Sequence, residues 1–153
     1  MKRLVLIILA SICVLAPVLA RHSDAEYRTE TPKVRFAPVH IYADSGEKSL
    51  AAYQFELKAV VGQVEIVGVE GGEHAAFAEP GYYDPAALAN DRIIIAAFNT
   101  GGDVPSGRTR IATIHLQITG EVEPKYELEL AVAADADGEE IPAEITIGTG
   151  EQK

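Results

Sequence analysis

Between residues 34 and 147 apolar and polar side chains alternate in short runs, separated by Gly, Pro, Asp and Asn. In residues 51–61, Tyr53, Phe55, Leu57 and Ala59 point one way while Gln54, Glu56 and Lys58 point the other. A period of two places successive side chains on opposite faces of an extended strand. The clearest run is residues 108–119, where Ala112, Ile114, Leu116 and Ile118 oppose Thr113, His115, Gln117 and Thr119. Tyr126, Leu128, Leu130 and Val132 repeat the theme against Glu127 and Glu129. Residues 34–43, 64–69 and 141–147 read as further strands, and residues 92–98 form a denser apolar run, expected to be buried on both faces.

The punctuation agrees with this reading. Residues 44–48 form a turn, Gly62 interrupts two runs, and Asp137-Gly138 is a tight-turn pair. Only residues 84–90 look helical, with Pro85 at a first-turn position, and they are too few to build a core. Seven or eight strands in about 115 residues predict an all-β sandwich or barrel. One apolar face per strand favours two antiparallel sheets packed face to face.

The ends differ from this body. Lys2 and Arg3 precede an apolar stretch from Leu4 to Leu15, and Val18-Leu19-Ala20 supplies small or compact residues before a cut after Ala20. That order describes a cleavable secretory signal over residues 1–20. The stretch is short of the roughly 20 apolar residues a bilayer crossing needs. Residues 21–33 read as a polar, flexible leader, residues 34–147 as the domain and residues 148–153 as a polar tail. The chain is thus expected in the periplasm or outside the cell, with no membrane insertion after cleavage.

Charge and cysteine narrow the function classes. The 153 residues carry a formal net charge of −10. Removing Lys2 and Arg3 leaves 11 basic residues against the same 23 acidic ones, a net of −12. Such a surface repels phosphate backbones and anionic membranes, which argues against nucleic acid as a partner. Cys13, the only cysteine, lies in the signal, so the mature chain has no disulfide, no thiolate metal ligand and no cysteine nucleophile. Roughly 133 residues remain, enough for one domain held by its core alone.

Several segments together resemble a known family. Residues 50–57, Leu-Ala-Ala-Tyr-Gln-Phe-Glu-Leu, lead into residues 64–72, Val-Glu-Ile-Val-Gly-Val-Glu-Gly-Gly. Later come residues 92–98, Arg-Ile-Ile-Ile-Ala-Ala-Phe, then residues 106–117, Ser-Gly-Arg-Thr-Arg-Ile-Ala-Thr-Ile-His-Leu-Gln, and the turn at residues 135–142. In this order they resemble the cohesin-like modules, jelly-roll sandwiches related to a group of carbohydrate-binding modules. The resemblance spans residues 34–147, with residues 73–90 as a distinctive insert. It implies an exported, non-catalytic module that engages a protein partner or a cell-surface assembly. It also implies a partner surface on the solvent side of one sheet containing strands 51–59, 91–98 and 109–119. Alternation gives that side Gln54, Glu56, Lys58, Thr113, His115 and Gln117. An ordinary solvated sheet face has the same pattern.

The segment from Glu70 to Pro85 gathers acids, a histidine and two adjacent tyrosines among Gly and Pro, on what must be a loop. Loops on a rigid sandwich commonly carry binding residues. Glu73, His74, Tyr82, Tyr83 and Asp84 are therefore candidate binding residues. The tyrosines suit stacking on sugar rings or anchoring a protein, and they equally suit packing the loop onto the core. Polysaccharide is thus the alternative ligand, although the chain has no tryptophan. Glu73, His74 and Asp84 lack the closely set His and Cys that zinc favours, and no metal site is assigned. Asp135, Asp137, Glu139 and Glu140 suggest structural calcium, but the acidic spacing of a calcium loop is absent and a tight turn explains them better. No cofactor is expected. No Gly-x-Ser-x-Gly, His-Glu-x-x-His or phosphate-cradling loop appears, so the chain is read as non-enzymatic, with a hydrolytic carboxylate pair as the remote option.

Overall fold

The computed structural model describes residues 31–149. The signal, most of the leader and the last residues of the tail lie outside the described residues. Seven strands run in order: β1 (Val34–Asp44), β2 (Ala52–Val61), β3 (Gln63–Gly71), β4 (Arg92–Phe98), β5 (Arg108–Thr119), β6 (Lys125–Ala134) and β7 (Glu144–Thr149). They form two antiparallel sheets, one of four strands in the order β3-β5-β1-β7 and one of three in the order β4-β2-β6. The fold is the expected all-β, two-sheet antiparallel sandwich. The helical expectation near residues 84–90 reduces to one 3-10 turn, Pro85–Ala87, and a second lies at Ala75–Phe77.

Consecutive strands never share a sheet, so the chain crosses between layers at every connection. Each ladder joins one of β1, β2 and β3 to one of β4, β5, β6 and β7. The core lies between the layers. Tyr53, Phe55, Leu57, Ile93 and Ile95 from the smaller sheet meet Ile41, Ile66, Ile114, Leu116 and Ile118 from the larger, all buried. Leu128 and Leu130 of the edge strand β6 pack on this cluster from one side.

Bulges decide where alternation changes phase. Opposite β1, Ile41 pairs with Ala112 and Tyr42 with Arg110, so Ile111 is the extra residue. Ile111 and Ala112 are consequently both buried. On β6 the register passes from Val132 opposite Gln54 to Leu130 opposite Phe55, which skips Ala131. Beyond that bulge Ala133 turns inward and Val132 turns outward, contrary to the simple alternation read from the sequence.

Three other expectations are corrected. β4 is not buried on both faces: it is an edge strand, with Ile93 and Ile95 inward and Ile94 and Phe98 outward. The last strand starts at Glu144 rather than residue 141. Ile141 still follows β6, its N–H donating to Ala133, and Pro142, which has no N–H to donate, leads the chain away. That strand also continues past residue 147, because Gly148 pairs with His40 and lies against the Tyr42 ring. The Asp137-Gly138 turn forms as read, closed by the Asp135 carboxylate, which accepts from the N–H groups of Asp137 and Glu139 at 3.0 Å each.

Candidate functional site

The long connection from β3 to β4 is pinned along its length. At its start, a Cβ on Gly71 would lie 2.1 Å from the Ala78 carbonyl oxygen, so only a residue without one fits. Gly72 then donates to Phe77 at 2.6 Å and Glu73 to Arg110 at 3.0 Å. Phe77 enters the core and meets the Tyr53 ring edge-on, with centroids 5.0 Å apart. Asn99 Nδ2 donates to Ala76 O at 3.0 Å, tying this turn to the end of β4. At the far end Ala89 and Ile66 are joined by an N–H···O bond, as are Ile66 and Asn90, while Ala59 donates to Asp91. The segment therefore acts as a rigid extension of both sheets.

Tyr82 occupies the middle of that segment and pairs with β4. Its N–H donates to Ala96 O at 2.7 Å, and Ala96 N–H donates back at 2.9 Å. This close approach depends on Gly81, where a Cβ would meet Ile95 Cγ2 at 2.7 Å and Ala96 O at 2.9 Å. Standing opposite the outward-facing Ala96, Tyr82 points to solvent on the outer face of the three-stranded sheet. Its ring stacks on Phe98 with centroids 6.0 Å apart and planes 16° apart. Tyr82 is 73% exposed and Phe98 64%. Such rings are large rigid contact surfaces that lose little conformational entropy on binding.

The register of β2 against β4 carries this face further. Gln54 lies opposite Ala96, Glu56 opposite Ile94 and Lys58 opposite Arg92. Arg92 faces a like charge, and its guanidinium reaches instead to Glu56, with Nε to Oε1 at 2.6 Å and Nη2 to Oε2 at 2.7 Å. This forked pair holds the Glu56 carboxyl below the usual carboxylate range and raises the Arg92 guanidinium. One face thus presents two stacked aromatic rings, the exposed Ile94 side chain, the Gln54 amide and a fixed ion pair.

The candidate residues from the sequence divide accordingly. Tyr82, Gln54, Glu56 and Lys58 share the outer face just described. Tyr83 is half-buried against the core, so the two tyrosines have different roles. Thr113, His115 and Gln117 belong to β5, which lies in the other sheet, and the expected single surface with β2 and β4 does not exist. Alternation shows which side of a strand is apolar but not which sheet the strand joins. Thr113 is only 2% exposed and shares a 2.9 Å hydrogen bond with His40 Nδ1. His115 Nε2 lies 2.9 Å from Glu70 Oε1, but the ring nitrogen has no hydrogen-bond partner among the described residues. Gln117 Nε2 donates to Glu65 Oε2 at 3.4 Å.

The loop acids and histidine serve the loop. Glu73 Oε1 accepts from the Arg110 N–H at 2.8 Å and from the Thr109 hydroxyl at 3.4 Å. His74 Nδ1 accepts from the Ala76 N–H at 3.2 Å, and Asp84 Oδ1 from the Ala86 N–H at 2.9 Å, each capping a 3-10 turn. Among the described residues no three His, Cys, Asp or Glu side chains gather as a metal site, and no helix is long and apolar enough to cross a membrane. Sequence reasoning missed Phe98, Ile94 and Arg92. After Arg92 the run is uniformly apolar, and only the edge position of β4 shows that half of it faces water.

No family model, curated protein or solved structure matches the chain.

Proposed function

We propose that the chain is an exported, non-catalytic binding module of cohesin-like type that engages a protein partner through the outer face of its three-stranded sheet. The observation that carries this reading is the Tyr82–Phe98 stack. Two large rings stand exposed on a rigid face, beside exposed Ile94, where packing within the described residues does not use them. Interfaces concentrate their energy in aromatic and Arg side chains of this kind, set in a polar rim. Glu56, Arg92 and Lys58 supply that rim. The cohesin-like attribution rests on the sequence resemblance, and export rests on residues 1–20.

The test is capture of envelope or secreted proteins on the immobilised domain. Tyr82→Ala and Phe98→Ala are expected to lose the captured partner while leaving the urea midpoint nearly unchanged, since both side chains are exposed. Capture unaffected by either change would remove the face from consideration. Mass spectrometry of the secreted chain is expected to find Arg21 at its start.

A second reading, polysaccharide binding, is favoured by the near-parallel rings of the same stack, which form a small platform with the Gln54 amide nearby. Loss of polysaccharide retention on Tyr82→Ala supports it. No retention of any glycan by the unaltered domain ends it.

A further inference from the structure

β4 is one of the two edges of the three-stranded sheet, and only one of its outward rungs is paired, with the 3-10 turn Pro85–Ala87 lying beside it. At that rung Ala96 exchanges both backbone hydrogen bonds with Tyr82. Because backbone groups repeat every second residue, the N–H and C=O of Ile94 point to the same free side. Continued pairing would bring residue 84 opposite Ile94. Instead the chain turns away there, because Asp84 caps the 3-10 turn Pro85–Ala87. Neither backbone group of Ile94 has a partner among the described residues.

The vacated rung opens onto a groove of about 540 Å³, lined by Asp84, Ala87, Asn90, Asp91, Arg92 and Ile94. The charge of Arg92 is balanced by Glu56, so the unpaired charges there are the exposed carboxylates of Asp84 and Asp91. An unpaired strand edge is a template for a further strand, which gains affinity from main-chain hydrogen bonds and selectivity from side chains.

We propose that this edge takes an extended, basic peptide segment of the partner as an added strand, hydrogen-bonded to Ile94 and with its cationic side chains beside Asp84 and Asp91. The inference rests on the protein-binding reading above and gives the partner's contacting segment a chemistry. It also explains the place of Tyr82, which starts the strand that the guest continues.

The test uses a capped peptide of about eight residues alternating valine and lysine, longer than the short stretch around Ile94 that Tyr82 leaves unpaired at roughly 3.3 Å per residue. A glutamate-for-lysine version is the control. With the unaltered domain, the lysine peptide is expected to bind and to slow hydrogen exchange of the Ile94 amide at least tenfold, and the glutamate peptide not to bind. Ile94→Pro removes the outward N–H while leaving the β2 ladder intact, as proline at a strand edge does. It is expected to weaken binding at least tenfold. Asp84→Asn with Asp91→Asn, which keeps the cap at residue 84, is expected to weaken binding severalfold and flatten its salt dependence. The exchange measurement and this charge pair need no proline to fold. The proposal is overturned if the peptide fails to bind, if Ile94 exchange is unchanged on binding, or if Ile94→Pro, shown to be folded, binds as well as the original. Self-association that protects Ile94 without peptide also overturns it, in favour of a second copy. A partner captured on the Tyr82 face but indifferent to Ile94→Pro sinks strand addition and leaves the face reading standing. Loss of capture by neither Tyr82→Ala nor Ile94→Pro sinks both.

Discussion

The Tyr53 hydroxyl on β2 donates to the carbonyl oxygen of Ile111 on β5 at 3.0 Å, a hydrogen bond that crosses the sandwich from one sheet to the other. Ile111 is the residue its bulge leaves without a partner in either β1 or β3. A side chain from the opposite layer thus satisfies a buried carbonyl that the ladders cannot reach. Tyr53→Phe keeps the ring and strands that acceptor. The expected cost is about 1–3 kcal/mol, seen as a lower urea midpoint with an unchanged slope. An unchanged midpoint would mean that water replaces the hydroxyl.

Burial raises the Tyr53 phenol well above its ordinary value of 10.0. In the unfolded chain this phenol ionises near that ordinary value, whereas in the folded domain it stays protonated. The folded state therefore holds the proton more tightly, and stability is expected to fall as the pH rises above about 10. Tyr126, raised by partial burial, contributes in the same direction. Alkaline titration followed by phenolate absorbance and circular dichroism together should show one tyrosine ionising only as the β signal collapses. Gradual ionisation of every tyrosine in the folded state would contradict this.

Gly71→Ala would drive a methyl group to 2.1 Å from a backbone oxygen of Ala78. Backbone cannot yield as a flexible side chain can. A loss of more than about 2 kcal/mol is expected, with thermal unfolding as the readout. Gly102→Ala, whose added carbon meets nothing within 4 Å, is the matched control. Its effect should stay within about 0.5 kcal/mol.

Ala89 holds φ at 67°, left-handed backbone that a side chain resists. The conformation persists because the flanking bonds to Ile66 fix it. Ala89→Gly relieves about 1–2 kcal/mol of strain and gives back about 0.4–1 kcal/mol through the freer unfolded chain. The net expectation is a slightly more stable domain, visible as a small rise in melting temperature. A clear loss of stability would show that the methyl group packs usefully.

Much of the fold was legible because burial writes itself as a period of two. The inward residues of β2, and those of β5 from Ala112 onward, follow the pattern without exception. What could not be read depends on contacts between strands distant in sequence. A bulge has no residue signature, so Val132 looked inward. An edge strand resembles a central one when its outer side chains are Ile and Phe, so the pattern does not mark Ile94 and Phe98 as facing water. Sheet membership, which separated His115 from Glu56, is not written in any single strand. Within the site, Tyr82 stood out as a loop aromatic, but only its pairing with Ala96 distinguishes it from half-buried Tyr83.

The ladders all run between the first three strands and the last four, which makes the domain a clasp of two interleaved combs. Synthesised alone, residues 34–71 would contain no pair of strands that meet in the finished sheets, and neither would residues 92–149. Truncation to either piece is therefore a poor way to map where a partner binds, since each forfeits the surface along with the fold. A clean cut between residues 72 and 91 is different: the two pieces still need each other along five seams, and reassembly of separately made halves becomes a direct assay of the architecture.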